Sequence, residues 1–245
     1  MFRFEHFSLS VKGADSLVND DYARSDSQMG IFVVADGMGG RPGGAEASSL
    51  AVQTFFEALK RFSGGEQVGQ SALRAAIAEA NTEVCALSDA DPELSGLGTT
   101  LAALVVQGAK GTLVHVGDSR IYLYREGRLL QLTEDHTLIA ELVKRQHVTP
   151  ERAKSHALRN MLSRSVGTAE IVNPDVNDIA LASEDRLLLV TDGLTKSLEK
   201  EDLKRLLHES EKQNAECVCR TIVDAATRGM PVDDVTTIVV DIKEY

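Results

Sequence analysis

Seven aspartates in this chain stand where apolar runs begin or end. Asp36 closes "IFVVADG", Asp118 closes "TLVHVGDSR" and Asp192 closes "RLLLVTDGL", while Asp233 and Asp234 open "VDDVTTIVV". Asp20 and Asp21 follow the first strand-like run, in "LVNDDYA". If neighbouring strands are antiparallel, the end of one lies beside the start of the next, and these side chains gather at one edge of the sheets. Clustered carboxylates repel one another unless cations neutralise them. Hard oxygen donors with no histidine among them point to Mg²⁺ or Mn²⁺, not Zn²⁺ or copper. Five of the eight residues after Asp36 are glycine. A structural turn would need one or two; a glycine-rich stretch lets backbone approach an ion closely enough for a carbonyl to serve as a ligand. A single aspartate after a strand ordinarily forms a turn or caps a helix. Asp192 before "GLTKSL" has that role open to it, so the weight rests on the repetition.

Other hydrolytic or phosphate chemistries lack their residues. The chain has no Gly-x4-Gly-Lys-Ser/Thr loop, no Gly-x-Ser-x-Gly elbow and no cysteine followed six residues later by arginine. His136 in "EDHTL" reads as a turn or helix-start residue and not a base, and the other five histidines are scattered.

The elements that must carry the aspartates follow from periodicity. Residues 2–12 have strand composition, with Phe2 and Phe4 in one phase and Phe7, Leu9 and Val11 in the other, which predicts a bulge or bend. A strand at 29–35 precedes a helix over 45–62, and a second helix carries Leu73, Ala76, Ile77, Ala80, Val84 and Leu87 on one stripe. Short strands then follow from 98 to 133 as a meander, with "EGR" as a hairpin turn. A helix is predicted over 136–148, a polar and basic segment without strand character over 149–168, strands in "NDIALAS" and "DRLLLVT", helices near 194–208 and 215–228, and a last strand at 235–243. Strands in consecutive groups favour antiparallel sheets over a doubly wound parallel one. "RLLLVT" and "TTIVV" are apolar on both faces and need cover on both sides. The expected fold class is therefore α+β: a four-layer α-β-β-α sandwich of two antiparallel sheets flanked by helix pairs.

The 245 residues are 43% hydrophobic and 26% charged, with five prolines and no low-complexity tract. That suits one domain over 1–245. A net charge of −11 and a pI near 5.0 set the surface against nucleic acid and anionic membranes. The first residues lack the pattern of a secretory signal, and no run approaches the roughly 20 apolar residues that span a bilayer. Cys85, Cys217 and Cys219 show no zinc spacing and read as reduced thiols of a cytoplasmic protein.

Taken in order, "VNDDYA", "VADGMGG", "GTTL", "VGDSRIYL", "EDHTLIAELV", "LVTDGL" and "DDVTTIVV" resemble the metal-dependent serine/threonine protein phosphatases of the 2C type, in a bacterial single-domain form, over about residues 6–241. The resemblance implies the same four-layer fold and two Mn²⁺ or Mg²⁺ ions, with a third in bacterial members. It implies hydrolysis of phosphoserine and phosphothreonine in proteins by a metal-bridging water, with no protein nucleophile. By motif, Asp36 bridges both ions and the Gly37 carbonyl binds one. Asp192 and Asp233 hold the second ion. Asp21 supports the first through water, with Asp20 beside it, and Asp118 with Asp192 forms the third, weaker site. Residues 146–168 match a flap near the active site, where Arg152, Lys154, Arg159 and Arg164 face a phosphopeptide. Phosphorylated proteins and a bacterial kinase are the implied partners, and a monomer is expected.

Three positions depart from the pattern. Ser16 stands where many members have a phosphate-gripping arginine, so phosphate binding weakens or passes to another basic group such as Arg3 or a flap arginine. Met38 follows "DG", as is usual in bacterial members, where many eukaryotic ones have histidine. Asp234 replaces a common asparagine, as an extra ligand or a strand-start residue. Two other functions compete with the phosphatase: a catalytically weak regulator that binds phosphoproteins, and a metal-dependent phosphoesterase acting on small phosphates or nucleotides.

Overall fold

The computed structural model describes residues 2–14, 16–38, 43–62, 68–229, 231 and 233–244. One antiparallel sheet holds, in spatial order, β1 (Phe2–Val11), β11 (Val235–Glu244), β10 (Arg186–Val190), β7 (Arg120–Arg125) and β8 (Arg128–Gln131). The other holds β2 (Asp21–Asp26), β3 (Ile31–Met38), β5 (Leu101–Gln107), β6 (Lys110–Val116) and β9 (Asp175–Ala180), with the short β4 (Gly98–Thr99) paired to the end of β3. Helices α1 (Gly44–Phe62) and α2 (Gln70–Ala90) cover the second sheet. Helices α5 (Asp192–Ser197), α6 (Lys200–Glu209) and α7 (Ala215–Thr227) cover the first. Two short helices, α3 (Leu138–Lys144) and α4 (Pro150–Ala153), lie between β8 and β9.

Three apolar clusters define the layers. Along β3, Ile31, Val33 and Ala35 pack with α1 and α2, while Phe32 and Val34 point the other way into a cluster shared with Leu187, Leu189, Ile238 and Val240 of the first sheet. In that sheet Leu188, Val190 and Val239 face α6 and α7. Both faces of the central strands are buried, which is why their sequences are continuously apolar. The four-layer expectation holds.

The predicted bulge in β1 is absent. Its ladder with β11 runs unbroken from Phe2↔Glu244 to Val11↔Val235. The two phases of apolar residues serve two layers: Phe2 and Phe4 pack between the sheets, and Phe7, Leu9 and Val11 pack on the helix side. The strand β2, "DYARSD", went unpredicted because it is a half-buried, polar edge strand with only Tyr22 and Ala23 packed on the core. The helix expected over 136–148 is shorter, Leu138–Lys144, because Thr137 caps its start with a bond from the Ala140 amide. The helix expected over 194–208 is two, separated at Leu198 and Glu199.

One buried ion pair fastens the first sheet to the chain beyond α6. Arg186 grips Asp241 across the β10–β11 ladder through Nε at 2.6 Å and Nη2 at 2.9 Å. The same guanidinium donates to the carbonyls of Ser210 at 3.3 Å and Gln213 at 2.7 Å. Replacing one member strands the other charge in the core, so Asp241→Ala is expected to cost about 3–5 kcal/mol. Urea unfolding of the variant checks this, and a loss under about 1 kcal/mol would show that water reaches the guanidinium.

Candidate metal centre

The antiparallel ladders bring the strand-end aspartates to one end of the sandwich. Asp21 is the register partner of Asp36 across β2 and β3. Asp118 follows β6, Asp192 follows β10 and Asp233 precedes β11. Asp36 is coupled electrostatically to Asp21, Asp192, Asp118 and Asp233 together, so the five carboxylates share one locality. The two sheets meet there: the Thr191 hydroxyl, from the first sheet, donates to Asp21 Oδ2 of the second at 2.7 Å.

The surrounding bonds fix the backbone and satisfy the carboxylates only in part. The Asp36 amide donates to Thr100 Oγ1 at 2.9 Å, and the Asp36 carbonyl accepts from the Thr100 amide and the Thr99 hydroxyl, each at 2.9 Å. Thr100 Oγ1 also meets Ser119 Oγ at 2.6 Å, tying this corner to the "GDSR" turn. Close backbone packing requires glycine at two points. A Cβ on Gly37 would lie 2.0 Å from the Gly44 carbonyl oxygen, and one on Gly193 would lie 2.0 Å from that of Asp234. Gly39 and Gly40 lie outside the described residues.

The electrostatics are those of a cation site. Burial, followed by the neighbouring carboxylates, holds the Asp36 carboxyl well above the ordinary range. Burial likewise raises Asp21 and Asp118 to about 7 each. Asp192 and Asp20 are also raised, by burial first. Asp21 Oδ1 and Asp192 Oδ1 are buried without a hydrogen-bond partner. Such oxygens fit a hard divalent ion, which supplies both the charge and the missing coordination. Asp234 differs. Both its oxygens are taken, Oδ1 by the Gly13 amide at 2.7 Å and Oδ2 by the Asp20 amide at 2.6 Å, so it shapes the loop that presents Asp20 and Asp21.

A second cluster has the composition of a metal site, but two of its three members are taken up by other bonds. One donor atom from each of His115, His136 and Asp175 lies within 4.8 Å of the others. His136 Nδ1 accepts from the Gly117 amide at 3.2 Å, so the ring proton sits on Nε2, which faces Asp175 Oδ2 at 3.3 Å. With Nε2 a donor, that ring offers no lone pair to a cation. The other Asp175 oxygen takes Arg164 at 2.8 Å. Burial depresses His115 to about 3 and keeps it neutral. The trio with Arg164 fastens the segment before β9 to the sheet, in keeping with the reading of His136 as a helix-start residue.

Of the basic groups expected to replace the arginine absent at position 16, Arg3 sits elsewhere and Arg164 is already paired. Arg3 pairs with Glu5 at 2.5 Å and opposes Lys243, at the far end of β1 from the aspartates. Val11 lies eight residue steps further along the strand, about 27 Å, so Arg3 is ruled out. Arg164 is committed to Asp175, while Arg152, Lys154 and Arg159 are exposed. The cation at the centre is one that pattern reading passed over. Lys196 Nζ lies 2.5 Å from Asp192 Oδ2 and 2.7 Å from Asp233 Oδ2. Its signal was the i,i+4 spacing from Asp192 in "DGLTK", which puts both on one helix face. Thr191 and the paired threonines of "GTTL" were likewise visible, though their roles were not.

A family model described as Protein phosphatase 2C matches residues 12–234. The chain belongs to the protein phosphatase 2C family. It is 36% identical over 215 residues to the serine/threonine protein phosphatase PstP of Mycobacterium tuberculosis, covering 88% of this chain and 41% of that protein. The chain thus spans about two-fifths of the length of that relative. It is also 36% identical over 180 residues to the serine/threonine phosphatase stp of Listeria monocytogenes, covering 72% of this chain and 71% of that one. The crystal structure of M. tuberculosis PstP superposes with a TM-score of 0.88 at 32% identity, covering 99% of this chain and 100% of that one. A PstP catalytic domain in complex with two manganese ions superposes at 0.86 and 30% identity, covering 100% of each chain. A structurally similar phosphatase thus holds two manganese ions.

The raised carboxyls give the metal response a pH dependence. Below about pH 7 Asp21 and Asp118 hold protons that an ion must displace; above it they do not. The gain in melting temperature from saturating Mn²⁺ is expected to be about 5 °C or more near pH 8 and to shrink to less than half near pH 5.5. The buried histidines titrate with the opposite sign, but alike with and without the ion, so they cancel in this difference. Calorimetric scans check it; a gain that is constant or larger at low pH would remove these carboxylates from the site.

Proposed function

We propose that the chain hydrolyses phosphoserine and phosphothreonine in proteins, dependent on Mn²⁺ or Mg²⁺. The observation that carries this reading is the convergence of five carboxylates, two with unpartnered buried oxygens, in a family of protein phosphatases. When bound, the ions supply an activated water and neutralise phosphoryl oxygens. We assign Asp36 to both principal ions and the Gly37 carbonyl to one of them, with Asp21 and Asp20 behind it. Asp192 and Asp233 go to the second ion, and Asp118 with Asp192 to a third, weaker one. Thr99, Thr100 and Thr191 orient this set by bonding the Asp36 backbone and the Asp21 carboxylate.

The remaining assignments rest on less. Residues 146–168 act as a flap bearing on the substrate, supported by the exposed Arg152, Lys154 and Arg159. Residues 1–245 form one catalytic unit, supported by the near-complete overlap with the PstP structure. It works as a monomer opposing a bacterial serine/threonine kinase. A cytoplasmic setting agrees with three cysteines that form no disulfide. Among the described residues no helix is long and apolar enough to cross a membrane.

Activity on a phosphothreonine peptide is expected to require Mn²⁺ or Mg²⁺, to vanish in EDTA and to exceed activity on nucleotides. Asp36→Ala is expected to lose at least about a hundredfold, since metal stabilisation of the transition state amounts to several kcal/mol. Full turnover after metal stripping would exclude the mechanism. A preference for nucleotides would make the chain a small-molecule phosphoesterase, and metal binding without turnover would make it a regulator.

A further inference from the structure

We propose that Lys196 is an exchangeable cation of the metal centre: its ammonium neutralises Asp192 and Asp233 until a divalent ion takes both carboxylates, and it then turns to the phosphoryl group of the substrate. This rests on the assignment of those two aspartates to an ion. Lys196 lies one turn into α5, on the same face as Asp192. Asp233 arrives from the other side, at the start of β11, so the ammonium bridges two separate elements at 2.5 and 2.7 Å. That is the place between two carboxylates that a cation must fill.

The geometry also favours release. The Lys196 side chain is 39% exposed and that of Asp233 43%, so this half of the bridge faces solvent and is weakly held, while Asp192, at 14%, lies deeper. One positive charge serves two carboxylates, and Asp192 Oδ1 stays unpartnered beside it. A divalent ion supplies twice the charge and the missing contacts, so it displaces the ammonium. The flexible four-carbon stem then keeps the released charge within reach of the centre. An arriving phosphomonoester is a dianion. Among the described residues no other side-chain cation bonds to the five carboxylates of the centre: Arg120 is forked to Asp135 at 2.6 and 2.8 Å, and Arg164 to Asp175.

The test uses the full chain stripped of metal, with Mn²⁺ and inorganic phosphate as probes. Free Mn²⁺ is followed by electron paramagnetic resonance through a titration of the unaltered protein, Lys196→Met and Lys196→Arg. Losing the competing ammonium is expected to tighten the weaker Mn²⁺ step of Lys196→Met about tenfold. In Mn²⁺-saturated protein, calorimetry is expected to show phosphate bound about tenfold more weakly by Lys196→Met and nearly as well by Lys196→Arg. Lys196→Gln, close in shape and polar, repeats both measurements if the methionine variant does not fold. Unchanged Mn²⁺ affinity in the methionine and glutamine variants would overturn the exchange, and unchanged phosphate affinity would overturn the substrate role. Failure of the underlying assignment looks different: the unaltered protein would bind no Mn²⁺, or Asp192→Asn would bind it as tightly.

Discussion

Mutual repulsion among buried carboxylates is the constraint around which this molecule is built. Asp21, Asp36, Asp118 and Asp192 all have raised affinity for protons, with burial the first cause; neighbouring carboxylates come next for Asp36 and Asp118, while threonine bonds partly offset the rise at Asp21 and Lys196 partly offsets it at Asp192. Nothing local favours such a grouping, so the scaffold must impose it. The unbroken ladder of β2 with β3 sets Asp21 opposite Asp36. The threonines at 99 and 100 pin the Asp36 backbone from both sides, and Asp234 spends both oxygens on the amides of Gly13 and Asp20. The apolar clusters that bind each sheet to its helices, and the sheets to each other, supply the rigidity that holds the charges in place.

The histidine cluster shows how the same fold treats charge when no ion is wanted. His115, His136 and Asp175 are as close together as ligands, yet the Gly117 amide fixes the tautomer of His136, and Arg164 balances Asp175 from the other side. Both sets keep buried polar atoms without a partner, the His115 ring nitrogens and His136 Nε2 in one, Asp21 Oδ1 and Asp192 Oδ1 in the other. The difference lies in charge: the histidines are neutral and Asp175 has its arginine, whereas the aspartates gather like charges with one ammonium among them.

Much of this was legible in the sequence. The layer order followed from strands that are apolar on both faces, as "IFVVA" and "RLLLV" are, and the shared end of the aspartates followed from antiparallel pairing. What stayed hidden was tertiary. The two phases of β1 looked like a bulge because only the packed structure shows that each phase has its own layer. The strand β2 is too polar to announce itself. Arg3 was a reasonable phosphate ligand on the page of letters, since sequence gives no sign of which end of a ten-residue strand faces the chemistry. Lys196 was overlooked because a lysine in the first turns of a helix is ordinarily solvated, and its partner Asp233 lies 37 residues away.

The Thr191–Asp21 bond, which joins the two sheets at the rim of the centre, has a consequence for the protein's life in a cell. Carboxylates from both sheets converge there, so an ion bound among them fastens one half of the sandwich to the other. Whatever binds only the folded chain raises its stability with the logarithm of its free concentration. Manganese or magnesium supply then sets how often the seam opens to proteases, and with it how long each molecule survives. Scarcity of metal would be felt twice, first as idle enzyme and later as fewer copies, and the second effect would outlast the first until new chains were made.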